Sequence, residues 1–393
     1  MKTSRHLLCL VVVSIVALLP VFLFHTTDFS QRNREGVPAP SRQPSPTPQV
    51  QARHIFPLIL CWNKFFGRRR LDLKLKRDIK LSNSVPPCLV TYDRALLNVS
   101  DAVLFHCYDM DVRDMPSKRY PHQKWIFWCL EPPPMKLPRD YGPVASQFNW
   151  TMTYHKDSDV ITRYGGFSRK KNPVALDFKS AWKQKSKTAV WVASNCRAHS
   201  RREDFVKELR KYIHVDVYGH CGALKCARGL RASCYRTFGK KYYFYLSLEN
   251  SLCDEYVTEK LYYPLGLNVI PVVMGGADYA ARAPPHSVIN VASFRTPRHL
   301  AEYLKHVMTD YNLYKSYLEW KREFDVRVVE NFDDSICPLC EKLHSPEFRT
   351  YSAYDNVKKW FANKSSCYKY NDSTWKAAQK AKLSAPSHYK RKP

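Results

Sequence analysis

The sequence is short of carboxylates and of glycine: 35 Asp and Glu stand against 63 Lys and Arg, and only 12 of its 393 residues are Gly. It has no internal repeat. With 45% hydrophobic and 13% aromatic residues, the composition excludes fibrous and disordered chains and leaves a globular protein of roughly two domains plus appendages. The charge imbalance, formally +28, creates a positive field that draws nucleic acid, anionic membranes or anionic small molecules. Zinc fingers, aromatic RNP stretches and basic-leucine heptads are all missing. The dense basic runs at residues 68–80 and 369–392 therefore read as solvated surface, and no nucleic-acid partner is expected. Cys337-Pro-Leu-Cys340 lacks the second CxxC or HxxxH that would complete a zinc site, so both cysteines read as disulfide half-cystines of open connectivity. No small-x-small cleavage site follows the long apolar run near the N-terminus, which argues against a cleaved signal peptide.

That run, residues 7–24, is uncharged and 18 residues long. At about 1.5 Å per residue it approaches the hydrocarbon thickness of a bilayer. Lys2, Arg5 and His6 precede it, so residues 1–6 are expected to stay cytosolic and the rest to be lumenal, behind an uncleaved signal anchor. Twelve of the 13 cysteines and the sequons at Asn98, Asn149, Asn363 and Asn371 lie beyond it, as an oxidising lumen requires. Residues 25–54 are rich in Pro, Ser, Gln and Arg and read as an extended stem.

Short apolar runs then alternate with polar stretches. Pro57–Trp62, Ala102–His106 and Trp125–Cys129 read as buried parallel strands of a first unit, residues 55–172. A second unit, residues 173–345, follows a charged boundary. It opens with a strand at Thr188–Ala193, a helix at Glu203–Ile213 with Phe205, Val206, Leu209, Tyr212 and Ile213 on one face, and a strand at His214–Tyr218. It continues with a strand at Tyr242–Leu248, a helix opening at Thr258, a strand at Val269–Met274 and a helix capped by Thr296 with Pro297 in its first turn. Two doubly wound α/β units facing each other across a cleft are expected, with ligands beyond the carboxyl ends of the strands.

Residues at those ends are the candidates for chemistry. Arg202 sits at a helix N-terminus just after a strand, where free backbone N–H groups favour an anion such as a diphosphate; an ordinary surface arginine is the alternative. Lys260 lies in the first turn of the helix opening at Thr258, where a cation opposes the helix dipole unless an anion binds beside it. Glu259 offers a carboxylate to ribose hydroxyls or to Lys260, and Asn250 ends a strand facing the same region. The plainer alternative is a Thr258-capped helix with an incidental lysine. Glu131 follows an apolar strand and precedes Pro132-Pro133-Pro134, which fixes its carboxylate at a strand end, as a general base or as a turn cap. Asp109-Met-Asp111 and Asp157-Ser-Asp159 resemble cation-binding DxD patterns, but the pattern is short and Arg202 and Lys260 already offer charge to a diphosphate. No catalytic metal is expected.

Phe244-Tyr-Leu-Ser-Leu-Glu-Asn-Ser251, Tyr256-Val-Thr-Glu-Lys-Leu261 and Val269-Ile-Pro-Val-Val-Met-Gly275 together resemble the donor-binding signature of the α-1,3-fucosyltransferase family, glycosyltransferase family 10. Phe148–Tyr154 with Asp157-Ser-Asp159, and Val192–Cys196 with Val215–Gly219, resemble it in the same order, so the resemblance spans residues 55–362. It implies an invertebrate-type Golgi member with a GT-B fold, whose first domain holds the acceptor and whose second holds GDP-fucose. The implied reaction is an inverting transfer of fucose to the 3-OH of N-acetylglucosamine in glycoprotein glycans. Glu131 matches the general base, Arg202 and Lys260 the diphosphate contacts, and Asn250, Tyr256 and Glu259 further donor contacts; Ser194, Asn195 and Glu249 are added donor-side candidates. No cofactor is essential, a divalent cation being stimulatory at most. The Golgi cisterna membrane is the expected location, in type II orientation, and a homodimer is left open. The resemblance also implies that the CxxC tethers the chain end to the first domain, so that residues 346–366 return there and 367–393 form a basic tail. Departures from the vertebrate pattern include Pro132 after Glu131, Leu248 before Glu249, and Pro264, which is expected to kink the donor helix. A non-catalytic Golgi lectin or partner protein keeping the same fold is the alternative reading.

Overall fold

The computed structural model describes residues 11–12, 56–67, 88–135, 140–226, 231–329 and 332–371, with a few positions up to 381. The expected stem, the basic run at 68–80 and the end of the basic tail lie outside the described residues. The first unit is a parallel sheet of β1 (Val11–Val12), β2 (Leu58–Cys61), β3 (Cys88–Thr91), β4 (Ala102–His106), β5 (Lys124–Cys129), β6 (Trp150–Thr153) and β7 (Val160–Ile161), in the order β1-β3-β2-β4-β5-β6-β7. Strands β2, β4 and β5 are buried at every position, as strands covered on both faces must be. Of the run expected to cross a membrane only Val11–Val12 is described, as a two-residue edge strand beside Cys88 and Leu89. No helix among the described residues is long and apolar enough to cross a membrane.

The second unit runs through β8 (Gly165–Arg169), α1 (Phe178–Lys183), β9 (Lys187–Val192), α2 (Arg202–Leu209), β10 (Val215–Tyr218), α3 (Arg231–Lys241), β11 (Tyr242–Leu248), β12 (Leu252–Cys253), α4 (Glu259–Leu265), β13 (Ile270–Met274), α5 (Tyr279–Arg282), β14 (Ile289–Asn290), α6 (Pro297–Thr309), α7 (Tyr311–Ser316) and β15 (Phe324–Val328). Its parallel sheet has the order β10-β9-β11-β13-β14, while β8 and β15 form a separate antiparallel ribbon. The two sheets therefore share a device: the first long strand lies between the second and the third, and a crevice opens beyond the carboxyl ends of β2 and β4 and of β9 and β11. Thr258 and Thr296 cap α4 and α6 as their sequences suggest. Helix α2 stops at Leu209, short of the expected Ile213. Phe205, Val206 and Leu209 enter the core, and Tyr212 is left exposed. Pro264 stands in the last turn of α4, which ends at Leu265 instead of continuing through a kink.

The chain then recrosses to the first unit, earlier than the sequence suggests. Helix α8 (Phe332–Leu343) already buries Ile336, Leu339 and Leu343 among Ile59, Leu104 and Trp128. Helix α9 (Val357–Lys364) adds Val357 and Phe361 to the core on the other face of the same sheet. Strand β16 (Cys367–Tyr368) returns to pair with β12, and Tyr370 packs on Phe205 in the second core, so the chain is still part of the fold at Tyr370 rather than a tail from 367. Disulfides Cys88–Cys340 and Cys253–Cys367 fasten these crossings; Cys107–Cys129, Cys196–Cys221 and Cys226–Cys234 close shorter loops. Cys340 is thus a half-cystine as expected, whereas Cys337, one helical turn earlier, is a buried thiol.

Candidate active site

The crevice of the second sheet gathers charge. Arg202 opens α2 but is 2% exposed, which rules out a surface arginine. Its Nη1 donates to Leu248 O at 2.7 Å and its Nη2 to Asn195 O at 3.1 Å, so the guanidinium bridges the ends of β11 and β9. Burial pulls its pKa down, yet guanidinium stays charged at any physiological pH. Asn250 follows β11; among the described residues its buried Oδ1 finds no donor. Ser194 and Asn195 lie on the exposed loop after β9, where the Asn195 side chain accepts from Arg197 N at 3.2 Å.

Helix α4 supplies the rest. The buried Glu249 carboxylate accepts from Thr258 N at 2.8 Å and from Thr258 Oγ1, placing a negative charge on the positive end of the helix. Lys260 Nζ lies 3.0 Å from Thr258 Oγ1, 3.1 Å from Glu259 Oε1 and 3.8 Å from Glu249 Oε2. Burial works against a charge on Lys260, but Glu259 and Glu249 together outweigh it and hold its pKa above the ordinary lysine value. The helix thus keeps a cation at its N-terminus by flanking it with carboxylates. Burial is also the main reason the Glu249 carboxyl titrates above its usual range.

Glu131 reaches this group from the other unit. It follows β5, and its pKa is raised first by burial; Lys260 opposes that rise, Glu259 and Glu249 add to it, and a hydrogen bond with Tyr164 opposes it again. A carboxyl of the first unit therefore feels the α4 charges directly. Tyr256 is buried with its ring 5.1 Å from Tyr154 and 6.3 Å from Tyr164, an aromatic wall where the two units meet. The structure brings together Glu131, Arg202, Glu249, Tyr256, Glu259 and Lys260. Tyr154 and Tyr164 were not singled out from the sequence, because a lone tyrosine beside a strand carries no spacing signal.

The two DxD patterns hold other bonds. Asp109 accepts from His106 Nδ1 at 2.7 Å and from the Phe66 and Gly67 amides, and Asp111 caps the turn at Val112–Asp114. Asp157 pairs with Lys364 at 2.7 Å, and Asp159 accepts from Thr151 N and Tyr354 OH. The sequon at Asn149 is also corrected. Asn149 is 2% exposed, donates to Ser352 O at 2.7 Å and accepts from Trp125 N at 2.8 Å, which leaves no room for a glycan. Asn98 is half-buried, and Asn363 and Asn371 are exposed.

Residues 56–165 match the family described as fucosyltransferase, N-terminal, and residues 182–360 match glycosyltransferase family 10 (fucosyltransferase) C-term. The chain is 37% identical to alpha-(1,3)-fucosyltransferase C of Drosophila melanogaster over 78% of this chain and 77% of that one. It is 35% identical to the mouse 4-galactosyl-N-acetylglucosaminide 3-alpha-L-fucosyltransferase 9 over 78% of this chain and 82% of that one. A crystal structure of an alpha1,3-fucosyltransferase with GDP-fucose is similar over 68% of this chain and 83% of that one, at 16% identity and a TM-score of 0.42. The chain belongs to glycosyltransferase family 10, the fucosyltransferases.

Proposed function

We propose that this family 10 chain is an inverting α-1,3-fucosyltransferase of GT-B design, which moves L-fucose from GDP-β-L-fucose to the 3-OH of N-acetylglucosamine in glycoprotein glycans. The observation that carries the reading is the convergence across the cleft of Glu131 with the Lys260, Glu249 and Glu259 group. The Glu131 carboxylate takes the proton of the acceptor hydroxyl, and that oxygen forms the new bond to fucose C1. On the opposite face the bond from C1 to the β-phosphate oxygen breaks and its electron pair leaves with GDP, so a β-linked donor gives an α-linked product. Arg202 and Lys260 stabilise the negative charge that grows on the diphosphate as it departs. A carboxyl titrating above its usual range is better matched to accepting a proton near neutral pH than an ordinary one. These two cations supply the charge stabilisation that a divalent ion supplies elsewhere, so a metal is stimulatory at most.

The acceptor reading draws support from the mouse relative, whose name specifies transfer to position 3 of a galactosyl-N-acetylglucosaminide. The five disulfides among the described residues suit an oxidising lumen. With the basic flank of residues 7–24 they support a type II enzyme anchored in the Golgi membrane with its cleft lumenal. The test is transfer by the full chain, made in a secretory pathway and solubilised, from GDP-fucose to N-glycans with and without antennae, read by mass and linkage-specific digestion. One added fucose in α-1,3 linkage is expected. A folded chain that binds no GDP-fucose would overturn the assignment.

A further inference from the structure

Thr258 caps α4, but its hydroxyl has further partners. Within hydrogen-bonding distance of Oγ1 stand Glu249 Oε2 at 2.8 Å and Oε1 at 3.1 Å, Lys260 Nζ at 3.0 Å and the Lys260 amide at 3.3 Å. Hydrogen counting allows one arrangement. The ammonium and the amide can only donate, so both lone pairs of the hydroxyl oxygen face Lys260 and its single hydrogen goes to the Glu249 carboxylate. Oε1 of that carboxylate also accepts from Thr258 N at 2.8 Å, and the backbone of Glu249 extends the sheet, its N donating to Met274 O at 3.0 Å. Thr258 is therefore tied at two atoms to a residue that is itself fixed at the end of β11. Both are 1% exposed, so neither presents a surface to a ligand.

Lys260 is the outward member of this chain of bonds, its side chain 22% exposed. Of its three ammonium hydrogens, one goes to Thr258 Oγ1 and one to Glu259 Oε1 at 3.1 Å. Glu249 Oε2, at 3.8 Å, is beyond hydrogen-bonding distance, so among the described residues the third hydrogen has no acceptor. The two partners differ in kind: Thr258 is locked by the fold, whereas the Glu259 side chain is 32% exposed and can turn away.

We propose that Thr258, anchored by Glu249, is the positioning residue of Lys260: it pins the ammonium and leaves the third hydrogen, and the one held by Glu259, for the diphosphate oxygens of the donor. Without that hydroxyl the lysine keeps its charge but regains the rotamer freedom of a long side chain, which the ligand must then remove. An anchored ammonium therefore binds a diphosphate more tightly than a free one. Glu249, a donor-side candidate from the sequence, thus acts at one remove through Thr258.

The inference rests on Lys260 being a diphosphate contact, and a double-mutant cycle separates the two. Thr258→Val, which keeps the shape and removes the hydroxyl, Lys260→Met and the pair together are made in the full chain, and each is titrated with GDP and with guanosine, which lacks the phosphates. Thr258→Val should weaken GDP roughly tenfold and leave guanosine as in the parent, and Thr258→Ser, which keeps a hydroxyl, should restore GDP. In the Lys260→Met chain, itself weakened for GDP, adding Thr258→Val should change nothing further. A GDP affinity that Thr258→Val leaves untouched, or the same loss with and without Lys260, overturns the positioning role, since packing alone acts whether or not the lysine is there. If Thr258→Val does not fold, Thr258→Cys, of similar size and with a sulfur that accepts poorly, is judged by the same cycle. Lys260→Met binding GDP as the parent does removes the diphosphate reading, and the inference with it.

Discussion

The first sheet runs β3-β2-β4 where the second runs β10-β9-β11, the same order with the same crevice, yet the charges are buried at the second and exposed at the first. At the second, Arg202 and Lys260 converge from two helix N-termini, places where unpaired amides already favour an anion. At the first, a cavity of about 250 Å³ is walled by Trp62, Asn63, Lys64, Arg94, Asp109 and Asp114, where Arg94 and Asp114 pair at 2.6 Å. That pair is half-exposed, so solvent screens it, whereas Arg202 and Glu249 are buried and Lys260 nearly so. One architecture thus gives a buried charged cluster on one side and a solvent-screened polar hollow on the other. The proposed base of the first unit, Glu131, stands one strand further along, after β5, where it faces the charges of the second unit.

The sharpest way to break this division of labour is Glu131→Gln. It should lower transfer by about 10²–10⁴-fold while GDP titration of the same preparation gives an unchanged affinity; a parallel loss of both would mean that the first unit also builds the donor site. Next comes the seam between the units. Replacing Cys253 and Cys367 by Ser opens a cross-link between residues 114 apart, against 8 for Cys226 and Cys234. Chain-entropy reasoning gives a cost of about 4–5 kcal/mol for the long loop and about 2–3 for the short one. Thermal unfolding of the two double variants under non-reducing conditions should rank them in that order.

A smaller effect belongs to the second sheet alone. Burial is the largest single influence on Asp216 and would raise its pKa, but hydrogen bonds from Lys187, Tyr242 and His214 outweigh it and bring the value down to about 2. Its stabilisation is complete above the unfolded pKa near 4 and disappears as pH falls through about 2. Asp216→Asn should cost roughly 2 kcal/mol at pH 7 and flatten the loss of stability across that window in denaturant titrations. The smallest effect concerns glycans. Glycopeptide mass mapping should find Asn149 bare, and Asn363→Gln, on an exposed turn of α9, should change stability by less than about 0.5 kcal/mol.

The buried parallel strands were legible because they must be apolar on both faces: Ala102–His106 and Tyr242–Leu248 stand where their hydrophobic runs place them. Thr258 and Thr296 were legible because a cap is a local bond. The charged group at the start of α4 was legible as a lysine in the wrong end of a helix, but the carboxylate that resolves that conflict, Glu249, is bound to it only through the fold. What the sequence hid was contact between distant segments. Nothing local says that α8 packs on the first sheet, that Tyr370 joins the second core, or that Asn149 is consumed by Ser352 and Trp125. The misplaced end of α2 has a local cause: Tyr212 and Ile213 continue the apolar period on paper, but the helix closes at Leu209, and beyond it Tyr212 is left exposed while Ile213 still joins the core.

The central claim is that a base from the first unit and charges from the second form one site, and the pH dependence of transfer by Lys260→Gln at saturating donor tests it most directly. In the parent the acid limb should lie above the ordinary carboxylate range, because burial raises Glu131 more than Lys260 lowers it. Removing the cation removes what favours the carboxylate, so the limb should move to still higher pH. A limb that stays where the parent's lies would show that Glu131 does not feel Lys260, and that the two halves do not share a site.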